Sequence, residues 1–259
     1  MRWILGSCAL KTKQFNRRQF LLLSGATVST TLLKACTKNS TSAQNPTDSD
    51  LGDKYLSLKF ISVPPATGQA PTALIVCLHG FGGKSQELAP FAPVLNLPEY
   101  QFLFPDAPYP HPSVSGGRMW YNLQSQDEQG LVSSRQQLTD WLKSLEASTG
   151  VPLSRTILTG FSQGGAMTLD VGLTLPLAGL VSLSGYMHPK PNLSGKSLPP
   201  VLIVHGKQDQ VVSLAAAQRA RDSLTAAGAA VKYQEYNMGH EITPEVLALV
   251  RSFIVDILP

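Results

Sequence analysis

The stretch "TILTGFSQGGAMTLD", Thr156 to Asp170, decides how the rest of the chain is read. Thr156, Ile157, Leu158 and Thr159 favour a strand, and the residues after Gly165 suit a helix. Between them lie Gly160-Phe161-Ser162-Gln163-Gly164-Gly165. Glycines on both sides of Ser162 permit a reversal too tight for neighbouring Cβ atoms. Such a turn would set the serine hydroxyl at a helix N-terminus, where backbone amides favour developing negative charge. The same residues also fit a plainer role, a serine capping a helix that begins in glycines. The flanking sequence has to separate the two.

Outward from this stretch, short apolar runs repeat. "ALIVCLHG" (73–80), "QFLFPDAP" (101–108), "GLVSLSGY" (179–186) and "PVLIVHGKQD" (200–209) read as strands covered on both faces, while "VKYQEYNM" (231–238) alternates as an edge strand does. Leu138, Trp141, Leu142 and Leu145 form one apolar stripe that predicts a helix within 128–149. Val246, Val250, Phe253, Ile254 and Ile257 predict a last helix after the start signal Thr243-Pro244-Glu245. Strands alternating with helices imply a mostly parallel central sheet with helices on both faces, an α/β architecture. In such sheets the binding crevice lies beyond the carboxyl ends of the strands.

The polar residues at those ends are His79, Asp106, Ser162, Ser184, His205, Asp209 and His240. Ser162, Asp209 and His240 fall in the chain order nucleophile, acid, histidine, and Gly160 to Gly164 fits the G-x-S-x-G elbow. A serine hydroxyl is a weak nucleophile, so His240 is the candidate base, with Asp209 fixing the imidazole tautomer. Taken singly, Asp209 also fits a turn residue and His240 a polar group at a helix entry. Ser184 lacks the preceding glycine of an elbow, and His205 fits a strand-end hydrogen bond. Asp106, Asp170 and Asp222 have the wrong order or fall on expected helices, and His79 reads as support for the loop after its strand. That loop, "LHGFGG" (78–83), offers one of the two backbone donors that a tetrahedral intermediate needs. The donors are assigned to the N–H groups of Phe81 and Gln163.

Composition narrows the rest. The chain has 259 residues, 43% of them hydrophobic, enough for one large core. Its formal charge of +4 comes from six Lys/Arg and no acid in residues 1–35, which leaves 15 basic against 17 acidic residues beyond them. A nucleic-acid footprint on the folded part is therefore not expected. Three scattered cysteines, Cys8, Cys36 and Cys77, give neither a disulfide framework nor a zinc spacing, so no metal is expected.

Residues 1–35 have the layout of an export signal: Arg17-Arg18, an apolar run from Phe20 to Leu33, then small residues. Arg17-Arg18 with Gln19-Phe20-Leu21 resembles the twin-arginine signal. Leu33-Lys34-Ala35-Cys36 resembles a bacterial lipobox, apart from Lys34, which would make Cys36 a lipidation site and a link to the membrane. An uncleaved anchor, or cleavage near Ala43, remains the alternative. Residues 36–53 are polar and read as a tether, which leaves 54–259 as the catalytic domain. The expected location is outside the cytoplasmic membrane, periplasmic or extracellular.

Together "VCLHGFGG", "FLFPDAP", "GRMWYNL", "LTGFSQGGAM", "VSLSGY", "VHGKQDQVV" and "MGHEI" resemble the phospholipase/carboxylesterase family of α/β-hydrolases, which includes the acyl-protein thioesterases, from about residue 55 to the end. The resemblance implies an α/β-hydrolase fold and hydrolysis of carboxylic esters or thioesters through an acyl-enzyme, with no cofactor. It makes Ser162 the nucleophile, Asp209 the orienter, His240 the base and then acid, and Phe81 and Gln163 the oxyanion donors. Trp120-Tyr121-Asn122 departs from the family, where an acid commonly stands at the third position. The connection after "VSLSGY" is too short for a cap domain, which suits small, lipid or protein-borne esters alike. Met119, Trp120 and Tyr121, in the long irregular segment 106–126, are expected to line the substrate pocket, with packing of the loop as the alternative. An aryl-ester esterase, a peptidase, and a non-catalytic interaction protein on the same fold are the competing functions. No oligomeric state is legible.

Overall fold

The computed structural model describes residues 58–123, 128–189 and 197–259. The export signal, Cys36 and the tether lie outside the described residues. The elements run β1 (Phe60–Val63), β2 (Ala73–Leu78), α1 (Ser85–Leu88), α2 (Phe91–Leu95), β3 (Tyr100–Pro105), β4 (Tyr109–Pro110), β5 (Arg118–Met119) and α3 (Glu128–Thr149). They continue with β6 (Thr156–Phe161), α4 (Gln163–Gly172), β7 (Gly179–Leu183), β8 (Val201–Gly206), α5 (Leu214–Ala226), β9 (Val231–Tyr236) and α6 (Pro244–Ile257).

Seven strands form one sheet in the order β1-β3-β2-β6-β7-β8-β9. Within this sheet only the β1–β3 pairing is antiparallel; the pairings β3–β2, β2–β6, β6–β7, β7–β8 and β8–β9 are all parallel. β2, β7 and β8 are buried at every position, which is why their sequences read as unbroken apolar runs rather than alternating ones. β9 sits at the edge and alternates in exposure, as its sequence does. This is the mostly parallel α/β sheet expected from the strand and helix alternation, and the α/β-hydrolase fold that the family resemblance implies.

Alternate residues of each strand feed two cores. Leu74, Val76, Leu158 and Ile203 face one side, with Leu138, Trp141 and Leu142 of α3 and Leu224 of α5. Ile75, Phe104, Ile157 and Val204 face the other, with Val250, Phe253 and Ile254 of α6. Full burial of one such side chain contributes about 1.5–3 kcal/mol. α6 begins as its sequence announces: Pro244 occupies the first turn and the Thr243 side chain accepts from the Val246 N–H.

The strands end two or three residues earlier than their apolar runs suggest. β7 stops at Leu183 because Ser184 turns to φ 48°, and β8 stops at Gly206 where Lys207 leaves the sheet. Those shortened ends are where the candidate site residues stand. From Leu183 to Val201 the chain holds no helix among the described residues. Within the segment expected to be irregular, β4 and β5 pair as a small antiparallel ribbon.

Candidate active site

Ser162 adopts φ 55° and ψ −118°, a conformation that costs a non-glycine residue about 1–3 kcal/mol. It sits between the end of β6 and the first residue of α4, and its side chain makes no capping hydrogen bond. Ser162 thus stands at the N-cap position of α4 without spending its hydroxyl on capping the helix. The neighbouring glycines are required sterically. A Cβ on Gly160 would lie 2.2 Å from the Gly164 carbonyl oxygen, and one on Gly164 would lie 2.3 Å from that of Leu78. The elbow is tied to the sheet by the Ser162 N–H, which donates to the Leu183 carbonyl at 2.8 Å.

Asp209 and His240 come from the loops after β8 and β9. Lys207 N–H donates to Tyr236 O at 2.8 Å and Gln208 N–H to Met238 O at 3.0 Å, which zips the two loops together. Gly206 permits this: a Cβ there would meet the Gly239 carbonyl oxygen at 2.3 Å. As a result His240 Nδ1 lies 2.7 Å from Asp209 Oδ2. Asp209 Oδ1 accepts from the Val211 and Val212 N–H groups at 2.8 and 2.9 Å. Burial acts most strongly on this carboxyl and raises its pKa, but His240 and the two amides together outweigh it and hold the value below the usual aspartate range. An ionised Asp209 keeps the proton on Nδ1 and leaves Nε2 as the basic nitrogen. The Phe161 ring packs 4.7 Å from the His240 ring, which brings the histidine against the elbow.

The loop after β2 closes on Ser162 from the other side. A Cβ on Gly80 would lie 3.2 Å from Ser162 Cβ, so this loop passes at van der Waals distance. Gly83 N–H donates to Gly80 O at 3.1 Å, a turn whose own hydrogen bond leaves out the Phe81 N–H. Gln163 is the first residue of α4, so its N–H is among those without a partner inside the helix. The strained serine, the histidine paired with a buried carboxylate, and two turn amides thus converge at the carboxyl end of the sheet.

The same chain matches the sequence profile of the phospholipase/carboxylesterase family over residues 63–258. The chain belongs to that family. It is 31% identical over 218 residues to acyl-protein thioesterase 1 of Neurospora crassa, an alignment that spans 73% of this chain and 88% of the relative. Among solved structures, esterase PE8 is similar with a TM-score of 0.72 and 29% identity, covering 78% of this chain and 100% of the other. Acyl-protein thioesterase 2 of Zea mays is similar at 0.64 and 26%, covering 78% and 99%. As a phospholipase/carboxylesterase family member, the chain is a carboxylic ester hydrolase of the α/β-hydrolase fold.

Trp120 is fully buried and Tyr121 nearly so, against the expectation that both line a substrate pocket; of the three, Met119 alone is partly exposed. The physical reason is polar. Trp120 Nε1 donates to the His79 carbonyl and its N–H to Gln163 Oε1, both at 3.0 Å, and these bonds turn the indole into the core. His79 supports its loop as expected: Nδ1 faces the Gly80 carbonyl at 2.8 Å and Nε2 accepts from the Ala107 N–H at 3.0 Å. His205 Nε2 meets the Val212 carbonyl at 2.8 Å and stands 3.4 Å from Asp209 Oδ2, so it also buttresses the acid. Ser184 is buried, and Asp106 Oδ1 accepts from the Ser85 N–H at 2.8 Å.

Arg118 is a residue that the sequence did not single out. Its N–H and carbonyl pair with Gly83 O and Gly82 N–H at 2.9 and 2.8 Å, while its guanidinium donates to the carbonyls of Ala107 at 2.8 Å and Pro108 at 2.6 Å. It therefore fastens the glycine-rich loop to the β4–β5 ribbon. Among the described residues no group of three or more His, Cys, Asp or Glu is arranged to hold a metal ion.

Proposed function

We propose that Ser162 is the nucleophile of an ester and thioester hydrolase working through an acyl-enzyme. The observation that carries this is the pairing of a serine held at φ 55° with a histidine whose Nδ1 is fixed 2.7 Å from a buried carboxylate. His240 Nε2 takes the proton as Ser162 Oγ attacks the acyl carbon, and the carbonyl π electrons move onto oxygen. The N–H groups of Phe81 and Gln163 receive that oxyanion. His240 then returns the proton to the departing alcohol or thiol, leaving acyl-Ser162. Water repeats the sequence and frees the acid. Asp209 stays ionised and stabilises the imidazolium.

The thioester side of the reading is supported by two relatives that are acyl-protein thioesterases, and the absence of a cap among the described residues suits an acyl group carried on a protein. Turnover of a palmitoyl-cysteine peptide, compared with p-nitrophenyl acetate and a feruloyl ester, tests it. Hydrolysis of the thioester at a rate comparable with the acetate supports the reading; hydrolysis of the feruloyl ester alone overturns it in favour of an aryl esterase.

We also propose export by the twin-arginine route with Cys36 as the site of a lipid anchor. Replacing Arg17-Arg18 by Lys-Lys would then trap the protein in the cytoplasm. A diacylglycerol mass on Cys36, lost in Cys36→Ser, would mark the anchor; an unmodified Cys36 in exported protein would contradict it.

A further inference from the structure

Trp120 and Tyr121 touch both halves of the candidate oxyanion hole. Gln163 is gripped at each end of its side-chain amide: Oε1 accepts from the Trp120 N–H at 3.0 Å and Nε2 donates to the Tyr121 carbonyl at 2.7 Å. On the opposite side Trp120 Nε1 donates to the carbonyl of His79, two residues before Phe81, at 3.0 Å. Any displacement of this dipeptide is therefore passed to Gln163 and to the loop that carries Phe81.

What holds Tyr121 is a chain of polar side chains, buried at its centre, that lies outside the Ser162, Asp209 and His240 group. Its hydroxyl meets that of Tyr186 and lies 2.8 Å from His188 Nε2. His188 Nδ1 stands 3.3 Å from Asp170 Oδ2, and the same oxygen accepts from Arg135 Nε. The Asp170 and His188 side chains are 3% and 8% exposed, while Arg135, at 37%, reaches solvent. Nδ1 makes no aligned hydrogen bond among the described residues, so the His188–Asp170 contact is electrostatic. Burial raises the Asp170 carboxyl most strongly, yet His188 and Arg135 together hold it below the ordinary range, and it stays ionised. A negative oxygen beside Nδ1 favours the tautomer protonated there. Nε2 then accepts from the Tyr121 hydroxyl, whose oxygen in turn accepts from Tyr186.

We propose that Arg135, Asp170, His188 and Tyr121 form a positioning relay for the oxyanion hole. It holds residues 120–121 so that the Gln163 and Phe81 amides stay aimed at the developing oxyanion. The relay rests on the reading of Ser162 as nucleophile, and it is separate from the Asp209–His240 pair, with which it shares no residue. Donors that act on the tetrahedral oxygen must stand within about 2.7–3.1 Å of it, so a small shift weakens the transition state and leaves ground-state binding untouched.

The test uses the full chain as wild type, Tyr121→Phe, Asp170→Asn and Arg135→Gln. Three quantities are measured: kcat and KM on p-nitrophenyl butyrate, affinity for a trifluoromethyl ketone whose adduct places an alkoxide in the oxyanion hole, and melting temperature. The relay requires kcat to fall about tenfold or more with KM within about twofold, and ketone affinity to fall in parallel. Arg135→Gln, at the solvent end, keeps the test decisive where a buried substitution does not fold. Lower melting temperatures with wild-type kcat and ketone affinity would overturn it, as would a rise in KM alone. Active wild type beside unaffected variants sinks the relay alone, whereas wild type that neither turns over nor binds the ketone sinks the reading of Ser162 and the relay with it.

Discussion

Asp209 faces His240 with one carboxylate oxygen, 2.7 Å from Nδ1, and spends the other on the Val211 and Val212 amides. The acid is thus fixed by its own turn before it meets the histidine. Asp209→Asn removes the charge that sets the imidazole tautomer, and kcat is expected to fall by about 10⁴ with little change in KM. The pH dependence has a definite sign. A carboxyl whose folded pKa is depressed adds stability above its unfolded value of about 3.9, and that stability is lost as pH falls through the folded value. Urea unfolding between pH 5 and pH 2 should therefore be steeper in pH for wild type than for Asp209→Asn.

The elbow glycines admit no side chain. Gly160→Ala and Gly164→Ala would force a Cβ to within 2.2 and 2.3 Å of backbone atoms, which no rotamer relieves. Both variants are expected to lose esterase activity and several kcal/mol of stability, more than the roughly 1 kcal/mol typical of a substitution. Circular dichroism melts beside activity assays check this; a stable, active Gly160→Ala would mean the turn is looser than described.

His79 makes stability fall with pH in the same direction, but in a window nearer neutrality. Burial, the strongest influence, lowers its pKa, and a charged ring could no longer accept from the Ala107 N–H through Nε2. The folded state thus disfavours the proton, so no stability is lost above about pH 6.5 and the loss grows as pH falls below it. Denaturation midpoints at pH 8, 6.5 and 5 should decline for wild type, and His79→Gln should be less stable throughout but flatter.

Arg118→Met removes two charge-assisted bonds to the Ala107 and Pro108 carbonyls while leaving the main-chain pairing with Gly82 and Gly83. A stability loss of about 1.5–3 kcal/mol is expected, together with lower kcat as the Phe81 turn loosens. Unchanged kcat at full folding would show that the turn is held without the guanidinium.

How much of this the sequence carried depends on where each signal lies. The glycines around Ser162 act within one turn, and Asp209 and His240 stand just beyond apolar runs, so all three were legible. β1 was missed because its four residues alternate in exposure at a sheet edge and bury too little to form an apolar run. β4 and β5 were missed because each is two residues long within a Pro/Gly-rich segment. Trp120 and Tyr121 were read as pocket residues because aromatic side chains in a long loop suggest a binding wall. Their true partners, Gln163 and His188, lie 43 and 67 residues away, and no local pattern reports a hydrogen bond across that distance. The same holds for Asp170, which fell on an expected helix and carried no sign of His188.

The central claim, Ser162 as nucleophile activated by His240, is tested most directly by fluorophosphonate labelling of the full chain followed by mass mapping of the adduct. A single phosphonyl group on Ser162, absent in Ser162→Ala and formed much more slowly in His240→Ala, is the expected result. No adduct on wild type, or ester turnover preserved in Ser162→Ala, would contradict it.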